Sequence, residues 1–374
     1  MICSQTLRLL QINILLLLFA GCLFNGQAAA QQLKKTLPVH EKATVKSSYL
    51  TDHDSSYYQS FARHITARFY FSQKYTGLEL KTDANVSKFR YLPNTSLVMG
   101  VGITYQSISL NLGYGFGFLN TDHEKGKTKY LDLQSHIYAR KWTIDFFGQF
   151  YKGYYLAPKG LASADDRNYY IRPDIHINLL GISAYRSLNP AQFSYRAALL
   201  QNEKQKKSAG SFLLGAEIYY GVIKADSSLV PKALAANYRQ QGVKRLQFFK
   251  IGPGVGYAHT FVIEKNFFVT ASLCASISLD HIDQYSTDSH AEKYALNTGL
   301  IYRLVTGYSK GGWNANISLV GNRFTVAGAT SGDKYLMAAG NVRLTLARII
   351  KPGRILKRKL HPVDKVIENV QGKQ

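Results

Sequence analysis

The sequence predicts an all-β chain, a transmembrane antiparallel up-and-down β-barrel of about 14 strands, with about 12 as the alternative. Three observations carry this reading. Long stretches alternate large apolar with small or polar residues, as where Leu97, Met99, Val101, Ile103 and Tyr105 enclose Val98, Gly100, Gly102 and Thr104. An export signal precedes them. Tyrosine, with 26 copies against 19 Phe and 2 Trp, dominates the aromatics, which suits a membrane interface where the ring is buried and the hydroxyl is wet. Beyond the signal, no segment offers the roughly 18 consecutive apolar residues of a spanning helix.

Residues 1–30 read as a signal peptide: Arg8, an apolar run from Ile14 to Phe24, then Ala28-Ala29-Ala30 before Gln31. Phe19-Ala20-Gly21-Cys22 is a loose lipobox, poorly matched by its Phe and by Leu23-Phe24. Cleavage after Ala30 leaves Cys274 as the only cysteine, so the mature chain forms no internal disulfide. Residues 31–63 are polar without a sustained period and read as a periplasmic leader or a segment that folds into the lumen.

Residues 64–348 form the expected barrel. Ile65, Ala67, Phe69 and Phe71 give the first outward face, with a less regular extension to Leu80. In Ser96–Phe118, Gln106 and Ser107 make a two-residue turn, so Tyr105 faces Ile108, Ile103 faces Leu110 and Val101 faces Leu112. A second hairpin turns at Arg140 and Lys141, pairing Tyr138 with Thr143, His136 with Asp145, Gln134 with Phe147 and Asp132 with Gln149. Asp174 to Tyr185 and Phe193 to Leu200 follow as strands, the second with Phe193, Tyr195, Ala197 and Leu199 outward. Phe212 to Val222, Phe249 to Phe261, Phe267 to Asp280, Tyr294 to Thr306, Trp313 to Val320 and Tyr335 to Ala347 complete the wall. Two long connections follow each other around Gln201 and Lys224, which predicts one further strand inside the poorly patterned Lys224–Leu246.

The stretches KTKYLDLQSHIYARKWTIDFFGQFYKGYYL (Lys127–Leu156) and FSYRAALLQNEKQKKSAGSFLLGAEIYYG (Phe193–Gly221) resemble the domain-of-unknown-function family 4421 of uncharacterised Gram-negative outer-membrane proteins. The resemblance runs from about Ile65 to Ala347 and includes Asp226-Ser227-Ser228-Leu229-Val230-Pro231 and Gly252-Pro253-Gly254. It implies an exported β-barrel and imports no catalytic residues.

Net charge is +23, from 46 Lys and Arg against 23 Asp and Glu. An exported chain rarely meets nucleic acid, so outer-membrane lipid and lipopolysaccharide phosphates are the expected polyanions, with an envelope protein as a further partner. Part of the excess lies in residues 349–374, a basic periplasmic tail holding Lys351, Arg354, Lys357, Arg358 and Lys359. A second basic surface is Lys204–Lys207.

Alternation places Asp132, His136, Asp145, Asp174, His176, Arg196, Glu217, Arg303 and Arg343 on the lumen side. Such opposite charges either plug a barrel by ion pairing or set a transverse field in a pore. His136 and Asp145 have the composition of an oriented base, but no serine of their hairpin completes a triad, so a polar wall is the simpler reading. The glycine trios Gly113, Gly115, Gly117 and Gly252, Gly254, Gly256 lack the strand-to-helix context of a phosphate loop and read as smooth inward patches for the leader or a loop. Asp52-His53-Asp54, Asp122-His123-Glu124 and Asp280-His281-Ile282-Asp283 carry metal-binding residue types without a strong ligand spacing, so no metal or cofactor is assigned. The expected protein is a non-enzymatic barrel of the cell outer membrane with a passive, porin-like or structural role. An outer-membrane enzyme acting on lipid A or phospholipid, with His136 or His176 as base, and a barrel that binds an envelope partner or lipopolysaccharide stand as alternatives.

Overall fold

The computed structural model describes residues 53–81, 89–106, 108–119, 122–238, 240–330 and 332–371; the signal and most of the leader lie outside them. The strands in chain order are β1 (Tyr58–Ser60), β2 (Ile65–Lys81), β3 (Phe89–Leu92), β4 (Val98–Tyr105), β5 (Ile108–Tyr114), β6 (Lys129–Tyr138), β7 (Trp142–Ala157) and β8 (Tyr170–Ser187). After the short helix α1 (Tyr195–Leu199) come β9 (Glu203–Gln205), β10 (Ala209–Lys224), β11 (Val243–Ile263), β12 (Phe267–Ser286), β13 (His290–Lys310), β14 (Trp313–Ala327) and β15 (Lys334–Ile350). A terminal helix α2 (Arg354–Gln371) follows where a plain basic tail was expected. None of the described helices is long and apolar enough to cross a membrane.

β15 pairs back on β2 from Lys334 with Lys81 to Ile350 with Ile65, which closes an antiparallel barrel. The ring runs β2, β3, β7, β8, β10, β11, β12, β13, β14, β15 and returns to β2, ten strands with β4, β5 and β6 added to its wall. The wall does not confirm the expected count of about 14. Two of the expected strands are not in it. Phe193–Leu200 is not a strand but carries α1, capped by the Ser194 hydroxyl accepting from Ala197 N at 3.2 Å. Lys224–Leu246 holds a loop with a 3-10 turn at Lys232–Asn237 between the ends of β10 and β11, not a hidden wall strand.

The sequence-read hairpins appear in the expected register. Tyr105 pairs with Ile108, Ile103 with Leu110 and Val101 with Leu112. Likewise His136 pairs with Asp145 and Asp132 with Gln149. Period 2 then puts Val101, Leu112, Leu131, Phe212, Leu273 and Leu344 on the outer face, all exposed. A contiguous apolar belt of this kind, running strand after strand, is stable against lipid and not against water.

β3 is only four residues long and splits the wall into two levels. At one end it joins β2 to β7, with Leu78 opposite Tyr91 and Leu92 opposite Tyr155. At the other end β2 pairs with β4 and β4 with β5, while β7 pairs with β6. No backbone pairing joins β5 to β6 among the described residues, so a seam runs between these two edges.

Glycines let aromatic rings cross between strands on the inner face. A side chain at Gly221 would meet the Phe248 ring, and one at Gly254 would stand 2.2 Å from the Tyr185 hydroxyl. At Gly254 the space is therefore taken by the wall's own Tyr185, and Gly252 and Gly256 lie against the backbone of β12, where the sequence suggested a docked leader or loop.

Candidate functional site

The lumen is filled in three tiers, each built by a different part of the chain. At the end where β8 stops and β10 starts, residues 188–208 fold inward with α1 and β9, and β9 pairs with β1 of the leader. Glu203 anchors this plug: its carboxylate accepts a short hydrogen bond from Ser194 Oγ and stands 3.7 Å from Arg196 Nε and 3.9 Å from Arg140 Nη2. Arg196 was expected on the wall; it belongs to α1 instead, and its Nη2 donates at 2.6 Å to the Gln106 carbonyl in the β4–β5 turn. Leu200 O accepts from Arg68 Nη2 at 2.9 Å, fastening the plug to β2. Burial pushes the Tyr58 hydroxyl up to about 12, and as a neutral group it donates to Pro190 O at 2.8 Å.

The middle tier is ionic. His136 Nδ1 lies 2.7 Å from Asp145 Oδ1, and Arg303, from β13 on the far side of the ring, makes a short contact from Nη2 to Asp145 Oδ2. Both Arg303 and Asp145 side chains are 1% exposed. Ser183 of β8 donates at 3.4 Å to the same Asp145 oxygen. The serine therefore sits on the carboxylate and not on the imidazole, an order that activates no nucleophile. Glu217 accepts a short hydrogen bond from Tyr185, and Asp132 takes Lys74 Nζ at 2.9 Å and the Tyr151 hydroxyl at 2.6 Å. Arg343 stacks over the Tyr70 ring at 4.4 Å.

Sequence reading missed Lys74 and the Lys250–Asp280 pair of this tier. Lys250 Nζ lies 2.6 Å from Asp280 Oδ2 and 2.8 Å from Ser278 Oγ, and Asn297 donates to the same carboxylate at 2.7 Å. The signal was present: Lys250 shares the parity of Gly252, Gly254 and Gly256, and Asp280 that of Cys274, all inward.

Asp174 and His176 require the opposite correction. On β8 the inward, fully buried residues are Ile175, Ile177 and Leu179, while Leu180 is 47% exposed. His176 consequently points outward between Lys152 and Lys224 of the flanking strands, and Asp174 forms a two-bond pair with Arg172, 2.8 Å in each bond. Neither lines the lumen.

The third tier is apolar and closes the other end. Leu78, Leu80, Tyr91, Leu156, Ile177 and Phe248 belong to one buried cluster. The Asp226–Pro231 stretch folds onto it, with Leu229 fully buried, Leu229 O accepting from the Tyr91 hydroxyl at 2.7 Å and Ser228 O from Arg172 Nη1 at 2.9 Å. A groove of 680 Å³ on the outer face is lined by Leu133, Phe146, Gly148, Leu180, Ile182 and Tyr220.

Residues 52–347 match the family described as Domain of unknown function (DUF4421). The chain belongs to this family. No curated protein is significantly similar to it. Among solved structures, the outer membrane protease OmpT from Escherichia coli is similar at 9% identity, covering 78% of this chain and 98% of that one with a TM-score of 0.36. The P. putida toluene transporter TodX is similar at 8% identity over 78% of this chain and 91% of its own, TM-score 0.22. Ail, the attachment invasion locus protein of Yersinia pestis, is similar at 8% identity over 75% and 97%, TM-score 0.18. None of these likenesses bears on what the DUF4421 chain carries or converts.

Proposed function

We propose that this protein is an exported, non-enzymatic barrel of the outer membrane whose lumen is closed, and that it serves as a structural and lipid- or partner-facing wall and not as an open pore. The observation that carries the reading is the Arg303–Asp145–His136 bridge across the lumen, buried between the plug of residues 188–208 and the apolar tier at the other end. A hydrated channel leaves its charged lining in water; here Arg303 and Asp145 meet across the lumen with each side chain 1% exposed. The apolar belt supports membrane insertion, and the net charge of +23 supports contact with anionic lipid, lipopolysaccharide included.

The test is single-channel conductance of the mature chain, Gln31–Gln374, refolded into planar bilayers, with folding checked by heat-modifiable gel migration. A folded barrel without openings is expected. Discrete, long-lived openings of the wild-type chain would sink the closed-lumen reading and restore the passive pore.

A further inference from the structure

The ends of β12 and β13 furthest from the plug carry four metal-binding side chains on the outer face, beyond the last residues of the apolar belt, Leu279 and Leu296. His281 and Asp283 lie two residues apart on β12, and His290 and Glu292 two apart on β13. Side chains at i and i+2 share a face, and the register sets Asp283 opposite Glu292, so the four converge.

His281, Asp283 and Glu292 each bring one ligand atom within 4.8 Å of the other two. His281 Nε2 lies 3.7 Å from Glu292 Oε2, and His290 Nε2 lies 3.3 Å from Asp283 Oδ1 and 3.8 Å from Glu292 Oε1. Donors held at about 2.0 Å around a tetrahedral ion stand roughly 3.3 Å apart, so His281, Asp283 and Glu292 must draw in from within 4.8 Å of one another and His290 must swing in to complete the set.

Two further features mark the cluster as built. Like charges directly opposite each other on neighbouring strands repel, yet Asp283 and Glu292 occupy that position and the Asp283 side chain is only 8% exposed. A cation between them removes the conflict. Each imidazole is also held by a cross-strand tyrosine: His290 stacks on Tyr285 at 4.3 Å and 15°, and His281 packs on Tyr294 at 4.8 Å. Rings fixed in this way are pre-oriented ligands.

We propose that His281, Asp283 and Glu292, with His290 as the fourth ligand, form a site for a divalent transition metal, Zn²⁺ by preference, at the outer rim of the β12–β13 hairpin. Two imidazole nitrogens with two carboxylates favour zinc over Ca²⁺ or Mg²⁺, which take oxygen donors in larger number. Sequence reading noted His281 and Asp283 among metal-binding residue types but assigned no metal, because His290 and Glu292 come from the next strand and only the register joins the two pairs.

The test is equilibrium dialysis of the folded full-length chain, free of any polyhistidine tag, against ZnCl₂, followed by atomic-emission counting of bound metal. One zinc per chain is expected, resistant to excess Ca²⁺. The paired substitution His281→Ala/His290→Ala is expected to lose it, with retention about tenfold weaker or less. Because that variant also removes two stacked rings, the same count on the near-isosteric Glu292→Gln, folded by gel migration, is decisive in its own right. Zinc bound equally by wild type and Glu292→Gln, no stoichiometric zinc on the wild type, or displacement by Ca²⁺ each overturns the proposal.

Discussion

Arg303 on β13 reaches across the lumen to Asp145 on β7, so a single buried contact ties together opposite walls of the ring. Removing one partner leaves the other charged and buried. Asp145→Asn or Arg303→Met is expected to cost about 3–5 kcal/mol, read as the urea midpoint of folding in lipid vesicles. The double variant Arg303→Met/Asp145→Leu is expected to recover most of that loss, since neither charge is then stranded. A double variant as unstable as the sum of the single ones would mean that the two side chains contribute independently and that neither is stranded by loss of the other.

Glu203 gathers Ser194, Arg196 and Arg140 at the base of the plug. Glu203→Ala should loosen residues 188–208 without touching the outer wall. The expected result is faster protease nicking within 188–208, with heat-modifiable migration retained and no channel openings, because the ionic and apolar tiers still close the lumen. A variant as resistant as the wild type would show that the plug holds without this carboxylate.

Gly252 and Gly254 are two residues apart on β11, yet alanine is expected to act differently at each. A Cβ at Gly252 would stand 2.0 Å from the backbone carbonyl of Ile277, whereas one at Gly254 would meet the tip of the Tyr185 side chain at 2.2 Å. A neighbouring strand yields less than a tyrosine hydroxyl. Gly252→Ala should therefore destabilise more than Gly254→Ala, which falls in the ~1–3 kcal/mol range of overpacking and is relieved in a Tyr185→Ala background. Equal urea midpoints for the two alanine variants would contradict this.

Leu273 sits midway along the outward run from Phe267 to Leu279 and is 53% exposed. Leu273→Arg is expected to cost roughly 2–4 kcal/mol in a bilayer. His176→Arg lies outward too, but already between Lys152 and Lys224, and should shift stability by about 0.5 kcal/mol or less. Vesicle folding titrations of the two variants separate the belt from its rim.

The sequence made the barrel legible wherever one strand face is apolar and the other is not. Both hairpin registers, Tyr105 with Ile108 and His136 with Asp145, followed from alternation plus a two-residue turn. The phase of β8 was not legible because Ile175, Ile177 and Leu179 fill the lumen while Leu180 meets lipid, so both faces are greasy and Asp174 and His176 were assigned to the wrong one. Phe193–Leu200 imitated a strand for a related reason. Phe193, Tyr195, Ala197 and Ala198 are all buried in the plug, and a segment covered on every side shows no diagnostic period. The buried apolar residues of Lys224–Leu246, namely Leu229, Val230, Tyr238, Val243 and Leu246, are spread unevenly over the loop and the start of β11 and fit no single period.

The facing edges of β5 and β6, which have no backbone partner among the described residues, have a bearing on how a membrane-inserted barrel is solvated. Hydrocarbon leaves a bare peptide edge with nothing to bond to, so these two edges must draw water or lipid headgroups into the depth of the belt. In the proposed membrane setting the bilayer around such a barrel is expected to be uneven in thickness, pinched beside Ile108–Tyr114 and Lys129–Tyr138 and full beside β12 and β13. Amide hydrogens along the β5 edge will trade with solvent deuterium long before those buried in the β12–β13 ladder, and neighbouring membrane proteins will feel the thin side first.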